Sequence, residues 1–320
     1  MRRLFFALVA TFLTALVFAC VGDDPTLSPP QGDVDAAKDT SSTTDGADPD
    51  SARGDGSVDS GAASCDPSSP FGAPVPVTEL NTGEFEDGVS LAADELTVYF
   101  TRKSSLYQAT RASKTLPFSG VGLVANANQP DTTKQAHLTH DGQVLYTVST
   151  VSGNPVLYYS TFGVGGFSAP AKVSGPSGVF NAMYPYLNAQ KSISFYDFPT
   201  VPSGGGPVRD AIYTATVVVP GAWSQPSRVE ELFSSAGDRS PVLSADQKTL
   251  YFASRRNATN DDIYATTRGS ITAQWGAPTL LTSLSTPADD APSWVSDDGC
   301  RLYIISSSPG NPDVFLAKRP

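Results

Sequence analysis

A strand-and-turn unit recurs five times along the chain. A period near fifty residues constrains the fold more than any other feature, because units of that size bury their apolar faces only by stacking on one another. The unit opens with a short strand and a polar turn at residues 89–94 (VSLAAD), 136–141 (AHLTHD), 185–188 (PYLN), 241–246 (PVLSAD) and 292–297 (PSWVSD), whose starts lie 47, 49, 56 and 51 residues apart. An alternating strand follows at 96–100 (LTVYF), 144–148 (VLYTV), 193–196 (ISFY), 250–252 (LYF) and 302–305 (LYII). Period-two alternation of β-branched and aromatic residues is the pattern of a strand with two distinct faces. A third strand reads LYQATR at 106–111, VLYYST at 156–161, AIYTAT at 211–216, DIYATTR at 262–268 and DVFLAKR at 313–319.

The fourth element is an aromatic with Pro or Gly two or three residues on: FSGV at 118–121, FSAP at 167–170, WSQP at 223–226 and WGAP at 275–278. Its fifth copy lies ahead of the first full repeat, as FGAPVPV at 71–77. An N-terminal strand without its repeat and a C-terminal repeat without its last strand complete one another. The sequence therefore predicts an all-β fold, a five-bladed β-propeller of four-stranded antiparallel blades closed by an N-terminal strand. Six blades are the alternative, with a merged blade in the long interval between 181 and 219. Beyond residue 66 no apolar run at helical spacing reaches two turns, which disfavours doubly wound and helical-repeat folds. Proline suits an outermost strand, where a missing donor faces solvent.

Residues 240–256 (SPVLSADQKTLYFASRR), followed by DDIY at 261–264, resemble the WD40-like β-propeller repeat of TolB-type proteins. The resemblance covers residues 70–320, is strongest in the fourth and fifth repeats, and is weakest in the third, whose turn lacks the aspartate. It implies a propeller with a binding or scaffold role. Members of that family commonly have six blades, and the count of five departs from this.

Met1-Arg-Arg precedes an apolar run at 4–19 (LFFALVATFLTALVFA) that stops at Cys20, the layout of an export signal. VFAC at 17–20 resembles a bacterial lipobox, and that resemblance implies lipidation of Cys20, with enough acyl chains for stable anchoring. Val21 stands where an aspartate would signal retention in the inner membrane, so the outer membrane is the expected address. Residues 21–64 hold ten aspartates, two basic residues and no aromatic. Such a segment buries too little to fold; as a flexible tether it spans roughly 35–40 Å. The expected organisation is a signal peptide at 1–19, a lipidated Cys20 and acidic tether at 20–64, and a propeller at 65–320.

Of the net charge of −11, the tether carries −8 and residues 65–320 carry −5, the two N-terminal arginines making up the difference. The domain's own charge is modest, and no nucleic-acid partner is expected. No run of 18 apolar residues occurs beyond the N-terminus. With Cys20 lipidated, Cys65 and Cys300 remain, in a compartment that permits disulfides. If 71–77 is the outer strand of the last blade, antiparallel alternation starts it at the same end as that blade's second strand. The approach from Cys65 can then bring it within the roughly 4.4–6.8 Å between Cα atoms that a disulfide with Cys300 requires, and a disulfide is the expectation, with two free thiols as the alternative.

Asp94, Asp141, Asp246 and Asp297 recur at matched positions and read as turn residues. Just ahead of the innermost strands lie Glu86/Asp87, Thr133/Lys134, Ala182/Met183, Asp238/Arg239 and Asp289/Asp290. Glu86, Asp87, Asp238, Arg239, Asp289 and Asp290 are the candidate binding residues at the channel mouth, open to three readings: a cation-binding rim, a surface for a basic partner, or hydrogen bonds to neighbouring blades. His137 and His140, three apart on an assumed strand, point to opposite faces and make poor joint metal ligands. No nucleophile elbow of the G-x-S-x-G type occurs, and the glycine run at 203–207 lacks the lysine and helix of a phosphate loop. No catalytic residue, metal or cofactor is expected. The expected function is a monomeric, lipid-anchored, non-catalytic binding or scaffold module of the bacterial cell envelope. Its expected partner is an envelope protein, peptide or glycan, with the membrane met through the lipid only. The alternative is a glycosidase-like enzyme using carboxylates at the channel mouth.

Overall fold

A computed structural model describes residues 65–129, 132–151, 153–176, 178–179, 181–200, 209–257, 259–308 and 310–320. The signal segment, Cys20 and the tether lie outside these residues. Every regular element described is a β-strand, and the strands form five sheets. Blade 1 comprises Glu86–Leu91, Thr97–Arg102, Ser105–Thr110 and Ser119–Leu123, from the innermost strand outwards. Blade 2 comprises Lys134–Leu138, Val144–Val151, Asn154–Gly163 and Ala171–Lys172. Blade 3 comprises Met183–Leu187, Ile193–Thr200, Arg209–Val219 and Ser227–Arg228. Blade 4 comprises Asp238–Leu243, Thr249–Ser254, Asp262–Thr267 and Thr279–Leu280. The interval from 181 to 219 supplies three strands of one blade, so the count is five and not six.

Blade 5 takes Asp290–Val295, Arg301–Ser306 and Asp313–Lys318 from the C-terminal repeat and its outer strand, Val75–Pro76, from the other end of the domain. Val75 lies opposite Leu316 and Pro76 opposite Phe315. Flanking amides extend the seam: Gly72 N–H donates to Lys318 O (2.8 Å), Val77 N–H to Val314 O (2.9 Å) and Asp66 N–H to Pro320 O (2.8 Å). This pairing hides what would otherwise be an open sheet edge. Beside it Cys65 and Cys300 form a disulfide with Cα atoms 6.1 Å apart.

Alternation in the second strands explains the radial stacking. At matched register, Tyr99, Tyr146, Phe195, Tyr251 and Tyr303 face the following blade, while their neighbours Val98, Leu145, Leu250 and Leu302 face the preceding one. Four of these rings meet the aromatic that opens the next blade's fourth element. The pairs are Tyr99 with Phe167 (5.6 Å between centroids), Tyr146 with Trp223 (5.4 Å), Phe195 with Trp275 (6.2 Å) and Tyr251 with Phe71 (6.0 Å). Tyr303 and Phe118 share the fifth junction's core. The FSAP-type element is therefore an inter-blade lock, and the short outer strand follows it. Each buried ring contributes about 1.5–3 kcal/mol through lost water contact, with about 0.5–1.5 kcal/mol more from edge-to-face geometry. In blades 1, 4 and 5 the arginine just after the third strand covers that aromatic: Arg111 on Phe118, Arg268 on Trp275 and Arg319 on Phe71, at 4.2–4.5 Å.

Candidate functional site

Innermost strands of all five blades begin at one end of the propeller, here called the mouth. Strand pairing makes Asp87, Lys134, Met183, Arg239 and Ala291 equivalent, opposite Thr101, Val148, Asp197, Ala253 and Ile305. Each innermost strand then breaks register once, and a bulge of this kind re-aims the side chains beside it. Gly88, Gln135, Tyr184 and Ser240 occupy the break with positive φ, and Pro292 holds that place in blade 5. At Gly88 (φ +58°) it is the close approach that requires glycine, since a Cβ there would lie 2.4 Å from the Cα of Gln135 in blade 2.

One position earlier stand Glu86, Thr133, Ala182, Asp238 and Asp290, and the structure removes the acids among them from the mouth. All three carboxylates are buried. Each accepts the amide of the residue four places back: Thr82 to Glu86 (3.2 Å), Ser234 to Asp238 (2.7 Å) and Thr286 to Asp290 (2.5 Å). Thr133 does the same for Gln129 through its hydroxyl (2.7 Å). Glu86 also pairs with Arg102 (2.8 Å) and Asp238 with Arg256 (2.5 Å). Glu86, Asp238 and Asp290 are thus loop clamps, and of the six sequence candidates Asp87, Arg239 and Asp289 reach the mouth. Blade 5 runs one residue later than the sequence count places it, because Asp297 and Asp298 are adjacent acids and the second makes the turn, so that Asp290 and Ala291 match Glu86 and Asp87. The same shift affects its turn: Asp298 accepts the Cys300 amide (3.0 Å), as Asp94, Asp141 and Asp246 accept those of Leu96, Gln143 and Lys248. Asp297 instead meets His140 of blade 2 (3.0 Å).

The mouth holds a cavity of about 430 Å³ lined by Asp87, Lys134, Tyr184, Arg239, Asp261 and Asp289, with Phe85 and Lys103 at its rim. Its charges come from different blades and interlock. Arg239 reaches Asp261 (3.2 Å), and Arg255 bridges Asp261 (3.2 Å) and Asp289 (3.3 Å). Asp289 also accepts the Asp261 amide (2.9 Å). Burial raises the pKa of Asp87, opposed by the Gly88 amide and the Lys134 charge. It raises that of Asp261 as well, where Arg239 and Arg255 pull the other way and Asp289 reinforces the rise. Sequence reasoning missed Asp261, which was legible only as part of the DDIY repeat, and Tyr184, whose place at the mouth depends on the bulge.

At the opposite end a small cavity of about 40 Å³ is lined by Leu138, Leu187, Leu243 and Val295 together with both histidines. The innermost strand of blade 2 ends at Leu138, so alternation does not carry on to His140, and the two imidazoles line one cavity instead of pointing apart. His137 is committed to structure: its Nε2 accepts the Leu187 amide (3.0 Å) and its ring lies 4.6 Å from Tyr186.

No protein-family profile matches the chain, and no curated protein sequence does. Among solved structures it is similar to the putative TolB of Agrobacterium tumefaciens, at 12% identity over 78% of this chain and 91% of that one, with a TM-score of 0.47. It is also similar to the catalytic domain of a Coprinopsis cinerea GH62 α-L-arabinofuranosidase, at 12% identity over 79% and 98% with a TM-score of 0.49. A Dyadobacter fermentans protein described as of unknown function is similar at 10% identity over 78% and 98%, also with a TM-score of 0.49. The chain's own strand pairing makes it a five-bladed β-propeller whose structural neighbours include TolB-type propellers.

Proposed function

We propose that the chain is exported, anchored through a lipid on Cys20, and works as a non-catalytic binding module of the cell envelope whose mouth takes a charged peptide segment of an envelope protein. The observation that carries this reading is the mouth itself. Acidic and basic side chains from separate blades surround a cavity of about 430 Å³, with Phe85 and Tyr184 as apolar surface beside them. A peptide presents both signs of charge and apolar side chains at similar spacing, so such a lining selects by charge order more than by area. Lys134 is exposed at the mouth, so Lys134→Glu inverts a mouth charge at little cost to folding. Pull-down from detergent-solubilised membranes with the full chain should recover a polypeptide whose capture falls about tenfold in that variant. Equal capture by both chains would remove the mouth from the account.

A second reading, a glycan-active enzyme, is favoured by one observation: two mouth carboxylates, Asp87 and Asp261, are held toward the protonated form by burial, as a general acid must be. A screen on plant and bacterial polysaccharides decides between the two. Turnover abolished by Asp87→Asn or Asp261→Asn would establish the enzyme.

A further inference from the structure

Six of the nine large apolar side chains exposed among the described residues share one kind of location. Leu116, Phe162, Val164, Val218, Val219 and Ile271 all lie at or beside the turns that join third to fourth elements, in blades 1 to 4. Third strands run in the same direction as the innermost ones, so every one of these turns projects from the end opposite the mouth. Blade 5 has no such turn. Its place is taken by Cys65, where the described chain begins, and by Pro320, joined through the Asp66 amide and the Cys65–Cys300 disulfide. Cys65, the first described residue, therefore lies at the end that bears the apolar tips.

We propose that this end is a lipid-docking face: the tips of blades 1 to 4 rest on the bilayer that holds Cys20, and the mouth is directed away from it. The proposal rests on the anchoring read from Cys20 and goes beyond it, because the lipid alone would leave the domain free to tumble. A bilayer is the occupant that fits the pattern. The tips are separate apolar insertions spread over four blades, with a cavity of about 290 Å³ beside Val218 and Val219 of blade 3, and an interface of lipid headgroups accepts scattered apolar side chains without shape complementarity. Each tip binds weakly by itself. The tether supplies the remainder, since a chain of this length holds the domain at roughly millimolar effective concentration at the surface. Where the chain joins the propeller also decides which end reaches the membrane first.

Hydrogen exchange read by mass spectrometry tests this on the lipidated full chain in vesicles of phosphatidylethanolamine and phosphatidylglycerol, against the Cys20→Ser chain in buffer. The expected result is about tenfold slower exchange on vesicles in peptides covering 111–118, 161–167, 217–223 and 268–274, with those covering 84–88 and 102–105 unchanged. A chain carrying Leu116→Asp, Val164→Asp, Val218→Asp and Ile271→Asp should stay on vesicles through its lipid yet exchange as in buffer. Equal exchange at both ends overturns the proposal, as does protection at the mouth. So does protection of the tips in the Cys20→Ser chain at high concentration without vesicles, which would mean a second copy covers them. Anchoring is scored separately, by the mass of the Cys20 peptide. If Cys20 carries no lipid, the comparison is repeated with the full chain held on nickel-chelating lipid by a histidine tag placed before residue 20, so that failure of docking and failure of anchoring are told apart.

Discussion

Acidification should weaken this propeller through one imidazole, well above the range in which ordinary carboxylates titrate. His137 is 6% exposed, and its unprotonated Nε2 is the acceptor for the Leu187 amide at 3.0 Å. Burial lowers its pKa from 6.5 to about 3. An imidazolium has no lone pair for that hydrogen bond, so protonation also sets two donors against each other. The unfolded chain takes up a proton near pH 6.5 that the folded chain refuses until about pH 3. Stability from this group is therefore complete above pH 6.5 and is lost as the pH falls from there toward 3. Between pH 7 and pH 5 the loss is about 2 kcal/mol, because the unfolded histidine protonates almost fully across that interval and the folded one hardly at all. Urea unfolding followed by tryptophan fluorescence, with the disulfide intact, measures it. His137→Gln keeps an acceptor for the Leu187 amide and cannot protonate, and it carries the same carboxylates, so the difference between the two chains isolates the histidine. Parallel stability curves for the two chains from pH 7 to pH 5 would refute the assignment.

Reduction of Cys65–Cys300, or Cys65→Ser, releases a loop of 235 residues; the chain-entropy account gives a loss of about 5 kcal/mol, read as a fall in unfolding midpoint. Gly88→Ala must either leave the left-handed region or push on Gln135, at a cost of about 2–4 kcal/mol visible in thermal unfolding. Asp238→Asn removes the charge that faces Arg256 and leaves one acceptor oxygen where two serve Arg256 and the Ser234 amide, at a buried position. It should cost about 3–5 kcal/mol while leaving capture of a mouth ligand by the surviving folded fraction unchanged, the opposite pattern to Lys134→Glu.

The blades and their closure are legible in the order of residues alone. Strand alternation is a local property, and the displaced FGAPVPV at 71–77 has one place to go once four blades each own a matching element; in the fold, Val75 and Pro76 fill the edge beside Leu316 and Phe315. The repeated aromatics were legible for the same reason, although their role as locks between blades was not, since Tyr99 and Phe167 are separated by a whole repeat and meet only when blades stack. The site, by contrast, emerges only once the strands have paired. Glu86 and Asp87 are neighbours of like charge, yet pairing sends one carboxylate into a buried clamp with Thr82 and Arg102 and the other to the mouth. A bulge after Asp87, a turn made by Asp298 and not by Asp297, and a strand that stops before His140 each change a direction or a frame by one residue. In a sheet, a shift of one residue exchanges the core face for the solvent face, and no spacing rule read along the chain records where such shifts occur.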